Sequence, residues 1–498
     1  MKKAIIIGSG VAGLACSIRL AKKGYEVSVI EKNKYSGGKI HVHKDAGYRF
    51  DLGPSLFTMP MLIEELFTLH NEDISKYFTY KQKEIICHYF WPDGSQFKAA
   101  ANTKQWVKEA AVFFNEKENT LQKYLDKAAF KYSLTAPLFI EKSLHEFKTF
   151  LSWKTLLGIL NIGRLDIFSS LDGLHKKLFT NHKLQQYFNR YATYNGSSPY
   201  KASAIMSMIP HLEMHKGTFF PTEGMHSISQ CLYKLAKAKG VKFLFETEAL
   251  EIVTQNKTAI GVQIKDLNTD ERKNLEAAFI VSNSDVYNSY EKLLPSFKTP
   301  KNILSQERSS AGLIFYWGIK KTFPSLELHN IFFSKDYQKE FKEIFELKTT
   351  PKDPTIYLNI SAKDKPTDAP SGCENWFVMI NVAAHEKQDW PKLIAQAKQT
   401  ILLKLSQQLG TDIGSLIESE YILDPIKIQE QTASYKGALY GTSSNDRNAA
   451  FLRQPNRAKG IKNLYFCGGS AHPGGGIPLC LQSAKIVSDL IPHYKHEA

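Results

Sequence analysis

The chain has 498 residues, 43% of them hydrophobic and 23% charged, with a formal net charge of +15. It is too long for one compact core and too apolar for a disordered chain, so two or three folded domains are expected. The positive charge comes from scattered lysines, with no arginine-rich block and no recognisable nucleic-acid motif. This argues against a nucleic-acid partner and leaves either an anionic membrane surface or a merely basic soluble surface.

Cys16, Cys87, Cys231, Cys373, Cys467 and Cys480 are widely spaced, without a CxxC or a Cys/His cluster. Neither a disulfide framework nor a metal site is indicated, and Cys16 reads as a small buried thiol in a helix. The first apolar run is too short for a signal peptide, and residues 155–163 are too few to span a bilayer. The expectation is a cytoplasmic protein that at most lies on a membrane.

Ala4, Ile5, Ile6 and Ile7 form a short apolar run typical of a buried parallel strand. Gly8, Ser9, Gly10, Val11, Ala12 and Gly13 follow, then a helical pattern through Leu14, Ala15, Ile18 and Ala21. A second strand-like run, residues 26–30, ends on Glu31. Strand, glycine turn, helix, strand and acid in this order make a dinucleotide-binding unit. Gly8 permits the tight turn, Gly10 lets backbone approach a pyrophosphate, and Gly13 lets the helix pack on the strand. The helix start offers free N–H groups to phosphate. Glu31 suits a ribose and repels a 2′-phosphate, which argues against NADP.

Gly37, Gly38 and Lys39, then Gly53, Pro54 and Ser55, add two glycine-rich turns soon after the acid. This arrangement resembles the two-dinucleotide-binding flavoproteins of the amine oxidase and phytoene desaturase superfamily. The resemblance implies an α/β fold with a Rossmann-like FAD domain. It places Lys32, Gly38 and Lys39 along the cofactor, with Lys39 at the pyrophosphate or the flavin, and the Gly53–Ser55 turn near the isoalloxazine. Without the resemblance, Lys39 would read as a solvated surface lysine.

Residues 59–215 read as mostly helical. Residues 151–179 are apolar, rich in large side chains and bracketed by lysines, which suits an amphipathic helix pair at a membrane interface or the core face of a helical subdomain. Beyond Gly224 comes a helix to about Lys239, strands at 241–245, 249–253 and 259–264, and a strand at 278–281 before Asn283. The resemblance gives Ala249 backbone hydrogen bonds to adenine. Residues 291–454 alternate short strands (313–318, 355–360, 376–381) with helices such as 393–409, a mixed-sheet substrate domain. His329, Asn330, Phe315, Tyr316 and Trp317 could line a pocket there, although core packing explains most strand aromatics. The expected organisation is therefore an FAD domain from 1–60, 220–290 and 455–498, a helical, membrane-contacting subdomain at 61–219, and a substrate domain at 291–454.

Residues 463–478 run Asn-Leu-Tyr-Phe-Cys-Gly-Gly-Ser-Ala-His-Pro-Gly-Gly-Gly-Ile-Pro. A strand reaches a glycine turn, and a second one starts the last helix, whose N–H groups could face a flavin's pyrimidine edge. With Ser483 beyond it, this tract closely resembles the C-terminal signature of bacterial-type carotenoid desaturases. The resemblance implies cofactor contacts from Gly468, Gly469, Ser470, Gly476 and Ile477, beside those from Gly8, Gly10, Ala12, Gly13 and Glu31. It also implies hydride transfer from a C–C bond next to a polyene to FAD, without a catalytic triad or metal. His472 is a candidate proton shuttle, or a residue that fixes the turn before Pro473.

Residues 53–60 resemble 1-hydroxycarotenoid 3,4-desaturases more than phytoene desaturases. The resemblance then implies 3,4-desaturation of a 1-hydroxylated acyclic or monocyclic carotene drawn from the membrane. Multi-step phytoene desaturation, an amine oxidase and a non-catalytic flavin-binding membrane scaffold are the alternatives. Oxygen or a membrane quinone would both suit as electron acceptor, with the protein peripheral to the inner membrane.

Overall fold

The structure, a computed structural model, describes residues 2–146, 149, 161–298, 300–301, 305–446, 449 and 453–494. At one end is a five-stranded parallel sheet. Its centre is β1 (Lys3–Ile7), flanked by β2 (Glu26–Ile30) and by Phe279–Ser282; Lys242–Leu244 and Leu464–Phe466 form the edges. Both faces are covered, which is why β1 is a continuous apolar run rather than an alternating one. The helix α1 (Val11–Lys22) packs on one face with His226–Ala238 and Ile477–Leu490, around Leu14, Ile18, Leu232, Leu235, Leu481 and Val487. On the other face lies a three-stranded antiparallel sheet, Thr247–Gln255, Thr258–Asp266 and Arg272–Glu276, which contributes Ile252, Val262 and Ile264. All five parallel strands come from residues 1–60, 220–290 and 455–498.

The second half is built on a seven-stranded mixed sheet. Its order is Ile417–Leu423, Ala311–Ile319, Glu374–Val382, Ile356–Asn359, His329–Phe332, Ile85–Phe90 and Gln96–Ala100. The pairing of His329–Phe332 with Ile85–Phe90 is parallel and the rest are antiparallel. The helix Trp390–Leu409 covers one face, where Phe315, Trp317 and Trp376 pack with Ala397, Ile401 and Leu405.

This sheet crosses the boundary expected at residue 219. Residues 61–219 contribute two of its strands besides their helices, among them Thr103–Phe114, Glu118–Thr135 and His182–Asn189. The mostly helical reading of 59–215 missed those strands, a local hairpin that joins the mixed sheet only where Ile85–Phe90 pairs with the distant strand His329–Phe332. Of the apolar stretch 151–179, residues 151–160 lie outside the described residues. In the rest, Leu171, Leu174 and Phe179 turn into the core, while Phe168 is 72% exposed. Among the described residues no helix is long and apolar enough to cross a membrane.

Candidate active site

A cavity of about 640 Å³ runs from the glycine turn after β1 into the space between the mixed sheet and the helices of residues 118–214. Its first end is built from backbone. Gly8 holds a left-handed φ of +95°, and its N–H bonds to the Ile30 carbonyl across the sheet. Gly10 caps α1 without a side chain, and no acid stands in the helix's first turn. The first N–H groups of α1 are thus left for an anion. A Cβ on Gly10 would meet Asn283 Nδ2 at 2.8 Å, so a side chain there would have to displace the Asn283 amide.

Glu31 lies at the end of β2 and lines the cavity. One carboxylate oxygen accepts from the Ser9 N–H (2.9 Å) and hydroxyl (2.8 Å), the other from the Asn33 N–H (2.9 Å). The second oxygen, with a single donor, keeps acceptor capacity for a ligand. Lys32 lines the same edge, its Nζ on the Glu430 carbonyl at 2.9 Å. Ala249 faces it across the cavity rim, where a register shift between Ala249 and Glu251 interrupts the ladder and releases backbone groups.

The middle of the cavity is formed by Gly38, Lys39, Gly53, Pro54 and Ser55. Lys39 is not a solvated surface lysine: its Nζ donates to the Leu439 carbonyl at 2.8 Å. Gly53 (φ +93°) passes so near Lys39 that a Cβ there would sit 2.1 Å from the Lys39 carbonyl oxygen. From the C-terminal tract come Gly468, Gly469, Ser470, Gly476 and Ile477. The Ser470 hydroxyl is committed to the backbone, accepting from the Val286 N–H at 3.0 Å. The helix Ile477–Leu490 opens on Gly476 (φ +106°) and points its N-terminus into the cavity, while Gln482 Oε1 is buried there without a protein partner.

Two expected site residues stand elsewhere. Gly13 does not line the cavity. It packs against Gly8, where a Cβ would come within 2.1 Å of the carbonyl oxygen, so its part is to bring α1 against the turn. His472 does not line the cavity either. Its ring is buried, with Nε2 donating to the Lys142 carbonyl at 2.9 Å, and burial lowers its pKa to about 4. In this position the ring ties the turn before Pro473 to the Lys142 carbonyl.

The second end of the cavity is mostly apolar: Ile86, Met206, Met208, Ile209, Leu212, Ile314, Phe377 and Met379 among others. Strand alternation decides which sheet residues reach it. His329 and Ile331 face the cavity, whereas Phe332 stacks on Phe90 and Asn330 bonds to the Glu327 and Leu358 carbonyls. Phe315 and Trp317 lie on the far face, under the helix Trp390–Leu409, and Tyr316 packs with Tyr48 and Phe50; none of the three lines the cavity.

Sequence reasoning missed two polar groups at this end. Arg190 donates to Glu213 at 2.9 Å, and that carboxylate also accepts from Tyr191 (2.5 Å) and Tyr194. The Arg190 guanidinium lies over the Tyr191 ring at 4.3 Å and the Tyr89 ring at 5.2 Å. Tyr357 Oη joins Ser55 Oγ and His329 Nδ1, each at 2.8 Å. These residues come from separate segments and share no local motif.

A parallel sheet with a glycine turn after its first strand, an acid after its second and a glycine-capped final helix defines a dinucleotide-dependent oxidoreductase fold. Residues 11–492 match the family described as flavin containing amine oxidoreductase. A 1-hydroxycarotenoid 3,4-desaturase from Flavobacterium sp. (strain P99-3) is 54% identical over 493 residues, 99% of each chain. A phytoene desaturase from Fusarium fujikuroi is 29% identical over 520 residues, covering 98% of this chain and 89% of its own. An oxidoreductase structure from Methanosarcina mazei has a TM-score of 0.65 at 14% identity, covering 98% of this chain and all of that one, a likeness of fold alone.

The chain belongs to the flavin-containing amine oxidoreductase family, in its carotenoid desaturase branch. It is an FAD-dependent oxidoreductase. The residues fit that cofactor: Gly8 holds a left-handed φ, a Cβ on Gly10 would crowd Asn283, α1 begins uncapped, Glu31 presents its carboxylate, and Gln482 keeps a buried acceptor open.

Proposed function

We propose that the protein introduces the 3,4 double bond into a 1-hydroxylated acyclic or monocyclic carotene. The observation that carries this reading is the likeness of nearly the whole chain to a 1-hydroxycarotenoid 3,4-desaturase, far above its likeness to a phytoene desaturase. The cavity agrees with it, since a backbone cradle at one end opens into a long apolar channel at the other.

Residues 1–60, 220–290 and 455–498 then act as the cofactor-binding unit. Gly8, Gly10, Ala12 and the start of α1 hold the pyrophosphate, with Gly13 supporting the turn from behind. Glu31 holds a ribose, Lys32 and Ala249 border the adenine end, and Gly38, Lys39, Gly53, Pro54 and Ser55 run along the flavin. Gly468, Gly469, Ser470, Gly476 and Ile477 close its other side. When bound, FAD accepts the hydride that leaves the substrate carbon. The apolar walls from Ile86, Met206, Ile209, Phe377 and Met379 keep the polyene extended. The adjacent carbon then loses its hydrogen as a proton to water; because the positive charge developing there spreads along the polyene, so weak a base suffices and the walls need supply no strong one.

A carotene resides in a bilayer, so the substrate is drawn from the membrane. The net charge of +15 favours peripheral docking on the anionic cytoplasmic face of the inner membrane, with a quinone or oxygen to reoxidise the flavin.

The test is pigment analysis of cells expressing the chain in two backgrounds, one accumulating phytoene and one a 1-hydroxylated carotene. A product lighter by two hydrogens and absorbing at longer wavelength, formed only from the hydroxylated substrate, is the expected result. Coloured products from phytoene would transfer the assignment to phytoene desaturation.

A further inference from the structure

Two residues that line the apolar end of the cavity each carry a buried nitrogen without a partner. His329 is 3% exposed and Arg190 6% exposed, both line the cavity, and neither His329 Nε2 nor Arg190 Nε has a hydrogen-bond partner in the protein. Buried donors left this way are costly and seek an acceptor.

The tautomer of His329 follows from its neighbours. The Asn359 amide nitrogen donates to the Leu328 carbonyl (3.0 Å) and also reaches His329 Nδ1 (3.2 Å). An amide nitrogen has only hydrogens to offer, so Nδ1 is an acceptor and the ring proton sits on Nε2. With Tyr357 Oη also on Nδ1, that edge of the ring is held against the strand Ile356–Asn359 and the Nε2–H edge is turned from it. Burial, with the Lys83 and Arg190 charges, lowers the pKa of the ring to about 3, which keeps it neutral with that single donor.

Arg190 is likewise a donor only. Glu213 Oε2 takes its Nη2 and the Tyr191 hydroxyl, and Oε1 takes the Tyr194 hydroxyl, so the Arg190 Nε is left without this carboxylate. Two donors without acceptors, in a channel walled mostly by apolar side chains, call for a ligand oxygen that is neutral and carried on a hydrocarbon.

We infer that His329 Nε2–H and Arg190 Nε–H receive the oxygen of the substrate's 1-hydroxyl group. This rests on the 1-hydroxycarotene reading above. The position suits the chemistry, because Tyr357 ties His329 to Ser55 on the Gly53–Ser55 turn, and the hydroxyl-bearing carbon is only two bonds from the nearer reacting carbon. Holding the oxygen therefore sets which C–C bond stands at the flavin. A substrate end lacking the hydroxyl would leave both donors unpaired, and discrimination of this kind is strong.

The experiment compares flavin-loaded wild type, His329→Leu and His329→Gln on a 1-hydroxylated carotene and on its counterpart with hydrogen in place of the hydroxyl. Substrate dissociation constants, read from flavin fluorescence, accompany kcat/KM. Wild type should prefer the hydroxylated substrate. His329→Leu should lose about ten- to a hundredfold of that preference, mainly in the hydroxylated substrate's terms, and His329→Gln, which keeps a donor, should restore part of it. A His329→Leu enzyme with a normal flavin spectrum and an unchanged preference overturns the inference. If His329→Leu does not fold, Arg190→Lys, which keeps the charge and removes the Nε–H, decides on the same ratio. Wild type inactive on any 1-hydroxylated carotene would instead defeat the 3,4-desaturase reading itself, and the inference with it.

Discussion

Gly13 and Gly8 touch: a Cβ built on Gly13 would lie 2.1 Å from the Gly8 carbonyl oxygen. The first turn of α1 therefore rests directly on the turn that cradles the cofactor, although Gly13 itself faces away from the cavity. Gly13→Ala must push the helix off the turn. The expected result is a folded protein, destabilised by about 1–3 kcal/mol, that loses most of its flavin on gel filtration. Full flavin retention would mean that the turn tolerates the displacement.

Glu31 holds the Ser9 and Asn33 backbone N–H groups and the Ser9 hydroxyl. Glu31→Ala leaves those donors in a buried site and takes away the acceptor offered to a ribose. A loss of about 1–3 kcal/mol in flavin binding is expected, measured as the dissociation constant of reconstituted apoprotein. A constant within twofold of wild type would remove Glu31 from the cofactor contacts.

His472 sits outside the cavity, and the backbone around it is held independently of its ring. Its N–H donates to the Gln454 carbonyl, and its own carbonyl accepts from Ser483 Oγ (2.7 Å) and Asn456 Nδ2 (2.9 Å). His472→Gln is therefore expected to keep its flavin spectrum and its turnover while losing about 1 kcal/mol of stability with the Lys142 hydrogen bond. Abolished turnover in a protein with an intact flavin spectrum would return the ring to the chemistry.

Four histidines among the described residues are buried. Burial lowers the pKa of His88, His175 and His472 to about 4 and that of His329 to about 3, against an ordinary 6.5. His175 is fully paired in its neutral form, Nδ1 donating to Asn189 Oδ1 and Nε2 accepting from Tyr124. The unfolded chain takes up these protons as pH falls below about 6.5, and the folded chain does not until about 4. Stability is therefore complete above pH 6.5 and lost across that window, by roughly 3 kcal/mol for a histidine held near 4 and more for His329. Urea midpoints should be level from pH 7 to 8 and fall steeply between pH 6 and 4.5, with a shallower slope in His175→Gln. Equal slopes in the two proteins would show that other groups govern the acid transition.

The cofactor half was legible because its signals are local. β1, the glycine turn, α1, β2 and Glu31 occupy one continuous stretch, and glycine marks each close approach of backbone. The final helix was legible for the same reason, with Gly476 and Pro478 at its start. The strand Arg272–Glu276 was not, because its sequence, Arg-Lys-Asn-Leu-Glu, lies on an exposed edge and has the composition of a loop. Nor was the channel polarity, since Arg190, Glu213, His329 and Tyr357 meet only through the tertiary fold. His329 stood out in the sequence as a pocket candidate, yet nothing there separated it from Asn330, which strand alternation sends the other way.

The sheet order of the cofactor half sets the order of events at the ribosome. The edge strand Leu464–Phe466 pairs with Phe279–Ser282, but the whole of residues 283–463 is synthesised between them. Those intervening residues include four complete strands of the mixed sheet besides Ile417–Leu423, so the substrate half can assemble while the nucleotide sheet still has an open edge. The loop after Leu464–Phe466 and the start of the next helix also form one wall of the cofactor cavity. Flavin capture is thus a late step of biogenesis, and a chain interrupted before residue 464 would present a finished carotene channel with nothing to oxidise its contents.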